Sequence, residues 1–239
     1  MKTRVKIWLG VTALVLVGVV GGQRLFFKWM SGPGFWAGDV AAFAAIDRDH
    51  PPPDRPIVFV GSSSIRLWST LQADMAPLPV LNRGFGGSQL SQVVHFVDQT
   101  VIRYRPRAIV LYAGDNDLDG RYRTGKTPED VAHEFRTFVA RVEAAVPDAR
   151  IYYLSMKPSR QRWVDWPQEY TGNMLIARIC AGDRRLAYID VATPMLAAGM
   201  PPPSDLFVAD GMHPSPKGYA LWIGIIKPRL QADLTPWVR

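Results

Sequence analysis

The chain holds a single cysteine, Cys180, among 239 residues. One cysteine excludes an internal disulfide and a zinc site built on thiolates. Nor does Cys180 stand at the end of the apolar N-terminal run, where a lipid-bearing cysteine would have to lie. Beside Ile176 and Ile179 it reads as a core residue of a helix. Histidine is scarce as well, with four in the whole chain. The Gly-x-Ser-x-Gly elbow and His-Glu-x-x-His are both absent, which removes two common hydrolase designs. An apolar fraction of 48% against 21% charged excludes disordered, collagen-like and low-complexity classes. No linker sets off a second full domain, so the length fits one well-buried domain with a short appendage.

The appendage is the first thirty residues. Lys2, Arg4 and Lys6 precede an uncharged run from Ile7 to Gly22, and Arg24 and Lys28 follow it. This is the layout of an export signal or a membrane anchor. Sixteen residues fall between a secretory apolar segment and the roughly 20 that span a bilayer, so length leaves both open. The run ends without a clear Ala-x-Ala, and Leu25-Phe26-Phe27-Lys28-Trp29 has the look of an interfacial aromatic and basic girdle, which favours an uncleaved anchor. Either reading places the globular part outside the cytoplasm, in the periplasm if the anchor is retained, with membrane association through residues 7–22. The leader also carries most of the excess charge: beyond residue 30 the count is 23 basic to 21 acidic residues. No basic stripe interleaved with aromatics appears, so nucleic acid is not an expected partner.

Residues 31–54, rich in Gly and Pro and containing Pro51-Pro52-Pro53, read as a tether, with the domain occupying 55–239. Within it, β-rich apolar runs alternate with helical patterns: Ile57–Val60, Val80–Leu81, Ala108–Tyr112, Ile151–Leu154 and Leu186–Ile189. That alternation predicts a doubly wound α/β/α sandwich on a five-stranded parallel sheet. The clearest helix starts at Thr127, with Pro128 in its first turn and Asp130 completing a capping box. A last helix, about Lys217 to Leu230, carries Tyr219, Trp222, Ile223 and Ile226 on one side. Ligands of open α/β sheets bind beyond the carboxyl ends of the strands. There the sequence reads Gly61-Ser62-Ser63-Ser64, then Asn82-Arg83-Gly84-Phe85-Gly86-Gly87, then Ala113-Gly114-Asp115-Asn116-Asp117.

With Asp210-Gly211-Met212-His213, these segments resemble the four blocks of the SGNH/GDSL hydrolases, the GDSL-type esterases and lipases, over roughly Ile57 to Leu230. The resemblance implies a flavodoxin-like SGNH fold and a serine ester hydrolase acting through an acyl-enzyme. It makes Ser63 the nucleophile, with Ser62 standing where the family has an acid. It makes His213 the base and Asp210 its orienting acid, and places the oxyanion hole at the Gly87 N–H and the Asn116 amide. No metal and no organic cofactor is implied. The substrate is a small-molecule, lipid or glycan ester, such as an O-acetylated glycan or a lysophospholipid.

The residue types suit that chemistry on their own terms. A serine hydroxyl needs a base within hydrogen-bond reach, and the base needs a group that fixes its tautomer. An oxyanion needs preorganised donors. Each residue also has a plainer reading: the serines as helix caps, Gly86-Gly87 as a tight turn, Asn116 as a turn residue. Their joint placement at strand ends, in family order, favours the functional reading. His95 and His133 fall in helical patterns and His50 in the tether, so none competes with His213. Trp163 and Trp166, after the fourth strand, are candidates to line an acyl or sugar site or simply to pack the loop. The alternative to an enzyme is a catalytically silent module of the same fold that binds a glycan or lipid at the membrane.

Overall fold

Five parallel strands, β1 (Ile57–Gly61), β2 (Val80–Gly84), β3 (Ala108–Tyr112), β4 (Arg150–Leu154) and β5 (Leu186–Ile189), form one sheet in the order β2-β1-β3-β4-β5. The structure is a computed structural model that describes residues 32–120 and 125–234. The leader read at residues 1–30 lies outside the described residues. Strands β1 and β3 are buried at every position, as expected of strands covered on both faces.

The helices are α1 (Ala37–Asp49), α2 (Ser63–Arg66), α3 (Leu71–Met75), α4 (Leu90–His95), α5 (Val97–Thr100), α6 (Pro128–Ala145), α7 (Trp166–Ala181), α8 (Ala192–Ala197) and α9 (Pro216–Leu234). Side chains alternate across the sheet. Phe59, Val110, Tyr112, Tyr152 and Leu154 join Trp222, Ile226, Leu230 and Leu234 of α9 in one buried cluster. On the other face Tyr153 meets Phe135 of α6, ring centroids 5.2 Å apart. Helix α6 begins as its sequence predicts. Thr127 accepts a hydrogen bond from the Asp130 N–H, and the Asp130 carboxylate accepts one from the Thr127 N–H. Cys180 is buried on α7.

The tether expectation needs correction. Between its Gly and Pro ends the stretch contains Ala41-Ala42 and Ala44-Ala45, which favour helix, and residues 37–49 form α1. By contacts the chain divides into residues 1–38 and a second unit from Asp39 to Arg239. The first, where described, is a 3-10 turn at Pro33–Phe35 and the opening of α1. In the second, Asp47 of α1 pairs with Arg83 of β2 and accepts a 2.7 Å bond from the Tyr104 hydroxyl.

Two features level the sheet for a site. Gly61 pairs with Gly84 on one side and Tyr112 on the other, so β1, β2 and β3 end together at the point where the strand order reverses. Gly61 also has φ +136°, and a Cβ there would sit 1.8 Å from the Tyr112 carbonyl oxygen. Only glycine lets β1 run so close to β3 before the chain turns into α2.

Candidate active site

Ser63 is the first residue of α2, directly after that turn. Its Oγ lies 2.8 Å from His213 Nε2, and His213 Nδ1 lies 2.5 Å from Asp210 Oδ2. The three sequence-predicted residues therefore form one hydrogen-bonded chain. The capping reading of the serines does not hold. Ser62 makes no side-chain cap bond, and the buried hydroxyls of Ser62 and Ser64 have no partner among the described residues.

A tight turn holds Asp210 and His213. Asp210 Oδ1 accepts from the Met212 and His213 backbone N–H groups at 2.8 and 2.9 Å, while Gly211 takes φ +67°. Below the turn, the Val208 N–H bonds the His213 carbonyl at 2.9 Å and the Ser215 N–H bonds Leu206 at 3.0 Å. The Tyr219 hydroxyl of α9 donates to the Ser64 carbonyl at 3.0 Å, tying the helix that follows His213 to the helix that begins at Ser63. Partial burial pushes the Asp210 carboxyl up. Hydrogen bonds from the His213 ring and from the two backbone N–H groups outweigh it and bring the pKa down to about 2.

The predicted oxyanion donors are brought together in a second cluster. Asn116 Nδ2 donates to the Ser88 carbonyl at 2.9 Å, next to Gly87. Gly87 has φ +75°, and its N–H has no hydrogen bond among the described residues; the same is true of the Ser63 N–H in the first turn of α2. Strand adjacency joins the two clusters. The Ser62 N–H bonds the Tyr112 carbonyl at 3.0 Å, and the Phe85 N–H bonds the Gly61 carbonyl at 2.9 Å.

Behind Asn116 lies a buried charged network that sequence reasoning missed. Asp115 accepts from the Tyr112 hydroxyl at 2.8 Å and lies 3.4 Å from Lys157 Nζ. Arg162 donates to Asn116 Oδ1 at 2.7 Å, lies 3.5 Å from Asp115, and pairs with Asp119 at 2.7 Å in an ion pair rather than an aligned hydrogen bond. Burial pushes Asp115 up, yet Lys157 and Arg162 hold it below the ordinary carboxylate range. Glu169 is also fully buried. Both its oxygens lack hydrogen-bond partners among the described residues, and burial together with Asp115 raises its pKa well above the usual value. The one sequence signal for this network is the density of acids at 115, 117 and 119, which buried positions cannot hold without cations.

The remaining candidates are peripheral or committed elsewhere. His50, His95 and His133 are exposed. Trp163 and Trp166 are half-buried, and Trp166 packs on Tyr170 at 6.0 Å between ring centroids. Their loop borders the turn of Asp210 and His213, because the Gln161 N–H bonds the Gly211 carbonyl at 3.1 Å. Residues 120–127 read Gly-x-x-x-x-Gly-Lys-Thr, the letters of a P-loop. A P-loop follows directly on a strand, whereas β3 ends at Tyr112. Lys126 is clamped by Asp117 at 2.7 Å and Glu134 at 2.8 Å, and Thr127 caps α6. Among the described residues, then, that lysine is already paired with two carboxylates. Among the described residues no cluster of His, Cys, Asp and Glu is arranged to hold a metal.

Comparison with known proteins shows the family to which the chain belongs. The model of the GDSL-like lipase/acylhydrolase family matches residues 58–221. No curated protein matches the chain. Among solved structures, a Streptococcus pneumonia protein assigned as a platelet activating factor superposes with TM-score 0.69 at 16% identity, covering 92% of this chain and 99% of its own. A GDSL-like lipase from Bacteroides thetaiotaomicron gives TM-score 0.66 at 19% identity, with 85% and 99% covered. An acetylxylan esterase from Geobacillus stearothermophilus gives 0.59 at 13%, with 77% and 95% covered.

Proposed function

We propose that this chain, a carboxylic ester hydrolase belonging to the GDSL-like lipase/acylhydrolase family, cleaves small acyl esters through an acyl-enzyme on Ser63. The observation that carries the reading is the continuous path Ser63 Oγ to His213 Nε2 at 2.8 Å and His213 Nδ1 to Asp210 at 2.5 Å.

In the acylation step Ser63 Oγ attacks the ester carbonyl carbon while its proton passes to His213 Nε2. The Nδ1–H donates to Asp210, which stays ionised and stabilises the imidazolium. Electron density moves onto the carbonyl oxygen, where the Gly87 and Ser63 N–H groups and the Asn116 amide serve as donors. Collapse of the tetrahedral species breaks the bond to the alcohol oxygen, which takes the proton from His213. Water then repeats the sequence against the acyl-enzyme, returning the acid and free Ser63. No step needs a metal or an organic cofactor. A small acyl group on a sugar or a lysophospholipid is the proposed substrate. The acetylxylan esterase among the fold neighbours supports the glycan ester.

A fluorophosphonate probe tests the reading. Wild-type protein is expected to be labelled once, at Ser63, and Ser63→Ala to lose both labelling and hydrolysis of p-nitrophenyl acetate while remaining folded. A folded wild-type chain that takes no label would instead support a silent ligand-binding module. Comparing acetyl, butyryl and long-chain esters with an O-acetylated glycan and a lysophospholipid then fixes the acyl length.

A further inference from the structure

We infer that Arg162 is a positioning residue for Asn116: its guanidinium fixes the side-chain amide in the one orientation that leaves an N–H for the substrate oxygen. The inference rests on the proposed role of Asn116 as an oxyanion donor.

The two ends of an asparagine amide have the same shape and opposite polarity, so packing alone does not choose between them. Chemistry does so here. Asn116 Oδ1 accepts from Arg162 Nη2 at 2.7 Å, and Nδ2 donates to the Ser88 carbonyl at 2.9 Å. A guanidinium only donates and a carbonyl only accepts. Turning the amide over would set donor against donor and acceptor against acceptor in a buried place. One amide hydrogen is thus committed to Ser88, while the other has no partner among the described residues. The charged donor on Oδ1 also draws electron density toward the oxygen, which strengthens the remaining N–H as a donor.

Arg162 is itself held rigidly. Its side chain is 3% exposed and is fixed by Asp119 at 2.7 Å and Asp115 at 3.5 Å. Those two carboxylates already balance its charge, so the bond to a neutral amide is not required for ion pairing. A planar fork reaches three groups at once, which the single ammonium of lysine does not. Lysine at this position therefore keeps a cation among the acids and loses the grip on Asn116.

The test is a double-mutant cycle on the full-length chain with p-nitrophenyl acetate, active sites being counted by fluorophosphonate labelling and folding followed by Tm. Arg162→Lys and Arg162→Met are expected to lower kcat at least tenfold with KM changed less than twofold. In an Asn116→Ala background the same changes should cost less than a further twofold, because the group they act through is gone. Arg162→Lys serves if Arg162→Met fails to fold, since lysine retains the charge beside Asp115 and Asp119. Full additivity of the two substitutions overturns the inference, as does Arg162→Lys with a lower Tm and wild-type kcat per active site. If Asn116→Ala alone keeps wild-type kcat, the oxyanion role of Asn116 fails first, and the inference with it. The single mutant thus separates the two failures.

Discussion

Asp210 and the three serines show how much single residues decide here. The folded pKa of Asp210, about 2, lies below the ordinary carboxylate value near 3.9. A depressed acid contributes stability that is complete above about pH 4 and is lost as pH falls toward about 2. Asp210 therefore stays ionised above about pH 4. A carboxyl resonance of Asp210 that titrates only below about pH 4 is the expected result; one that titrates near pH 5 or above would show the carboxylate held less tightly. Ser62 and Ser64 give the opposite kind of forecast. Their hydroxyls are buried without partners, so Ser62→Ala and Ser64→Ala remove unsatisfied groups. Both variants should keep at least wild-type Tm and most of the turnover. Loss of labelling in either of them would move the nucleophile away from Ser63.

At the scale of elements, the turn after β1 and the cap of α6 separate function from stability. A Cβ on Gly84 would lie 2.4 Å from the Arg66 backbone nitrogen and 2.9 Å from the Ile65 carbonyl carbon, both in the helix that begins at Ser63. Gly84→Ala is expected to lower Tm and kcat together, since α2 must shift and carry Ser63 away from His213. Thr127→Ala removes only the cap of α6 and should cost about 1 kcal/mol with kcat unchanged. Measuring both quantities on both variants tests the distinction; an unchanged kcat in a destabilised Gly84→Ala would show that α2 is not placed by this contact. The same elements show what a sequence makes legible. The five apolar runs, the Thr127 cap and the apolar side of the last helix obey local rules, and each appears where its pattern points. Helix α1 did not, because the Gly and Pro at its ends outweighed the alanines between them. The one-turn helices at Ser63–Arg66 and Val97–Thr100 are too short for periodicity to reveal. Ser63, His213, Asp210, Gly87 and Asn116 are candidates because they stand in motif blocks, whereas Arg162 belongs to no block. It stands 46 positions from Asn116 and meets it only after β3 and β4 pair.

At the scale of the whole molecule, the question is where the catalytic unit begins and what precedes it. The leader, with cations on both sides of an apolar run from Ile7 to Gly22, is proposed to hold the full-length chain in the membrane fraction. Recovery of a mature chain beginning near residue 23, free of membrane, would instead identify a cleaved signal. Where a truncated chain remains stable follows from α1. Asp47 and Arg83 form an ion pair whose side chains are 9% and 5% exposed, Tyr104 donates to the same carboxylate at 2.7 Å, and Phe43 lies 4.9 Å beneath the guanidinium. A chain starting at Gly34 keeps all of these and is expected to be soluble, folded and active. A chain starting at Arg55 leaves Arg83 buried in β2 without its acid. Removing one partner of a buried pair typically costs about 3–5 kcal/mol, a large share of the stability of a domain of this size. The shorter chain should therefore unfold well below the longer one or fail to accumulate, although every proposed catalytic residue is present in it. Denaturant unfolding of the two, beside Asp47→Ala in the longer chain, separates loss of the ion pair from loss of α1 as a whole. Equal stability of the Gly34 and Arg55 chains would show that α1 is dispensable and that the unit does begin at residue 55.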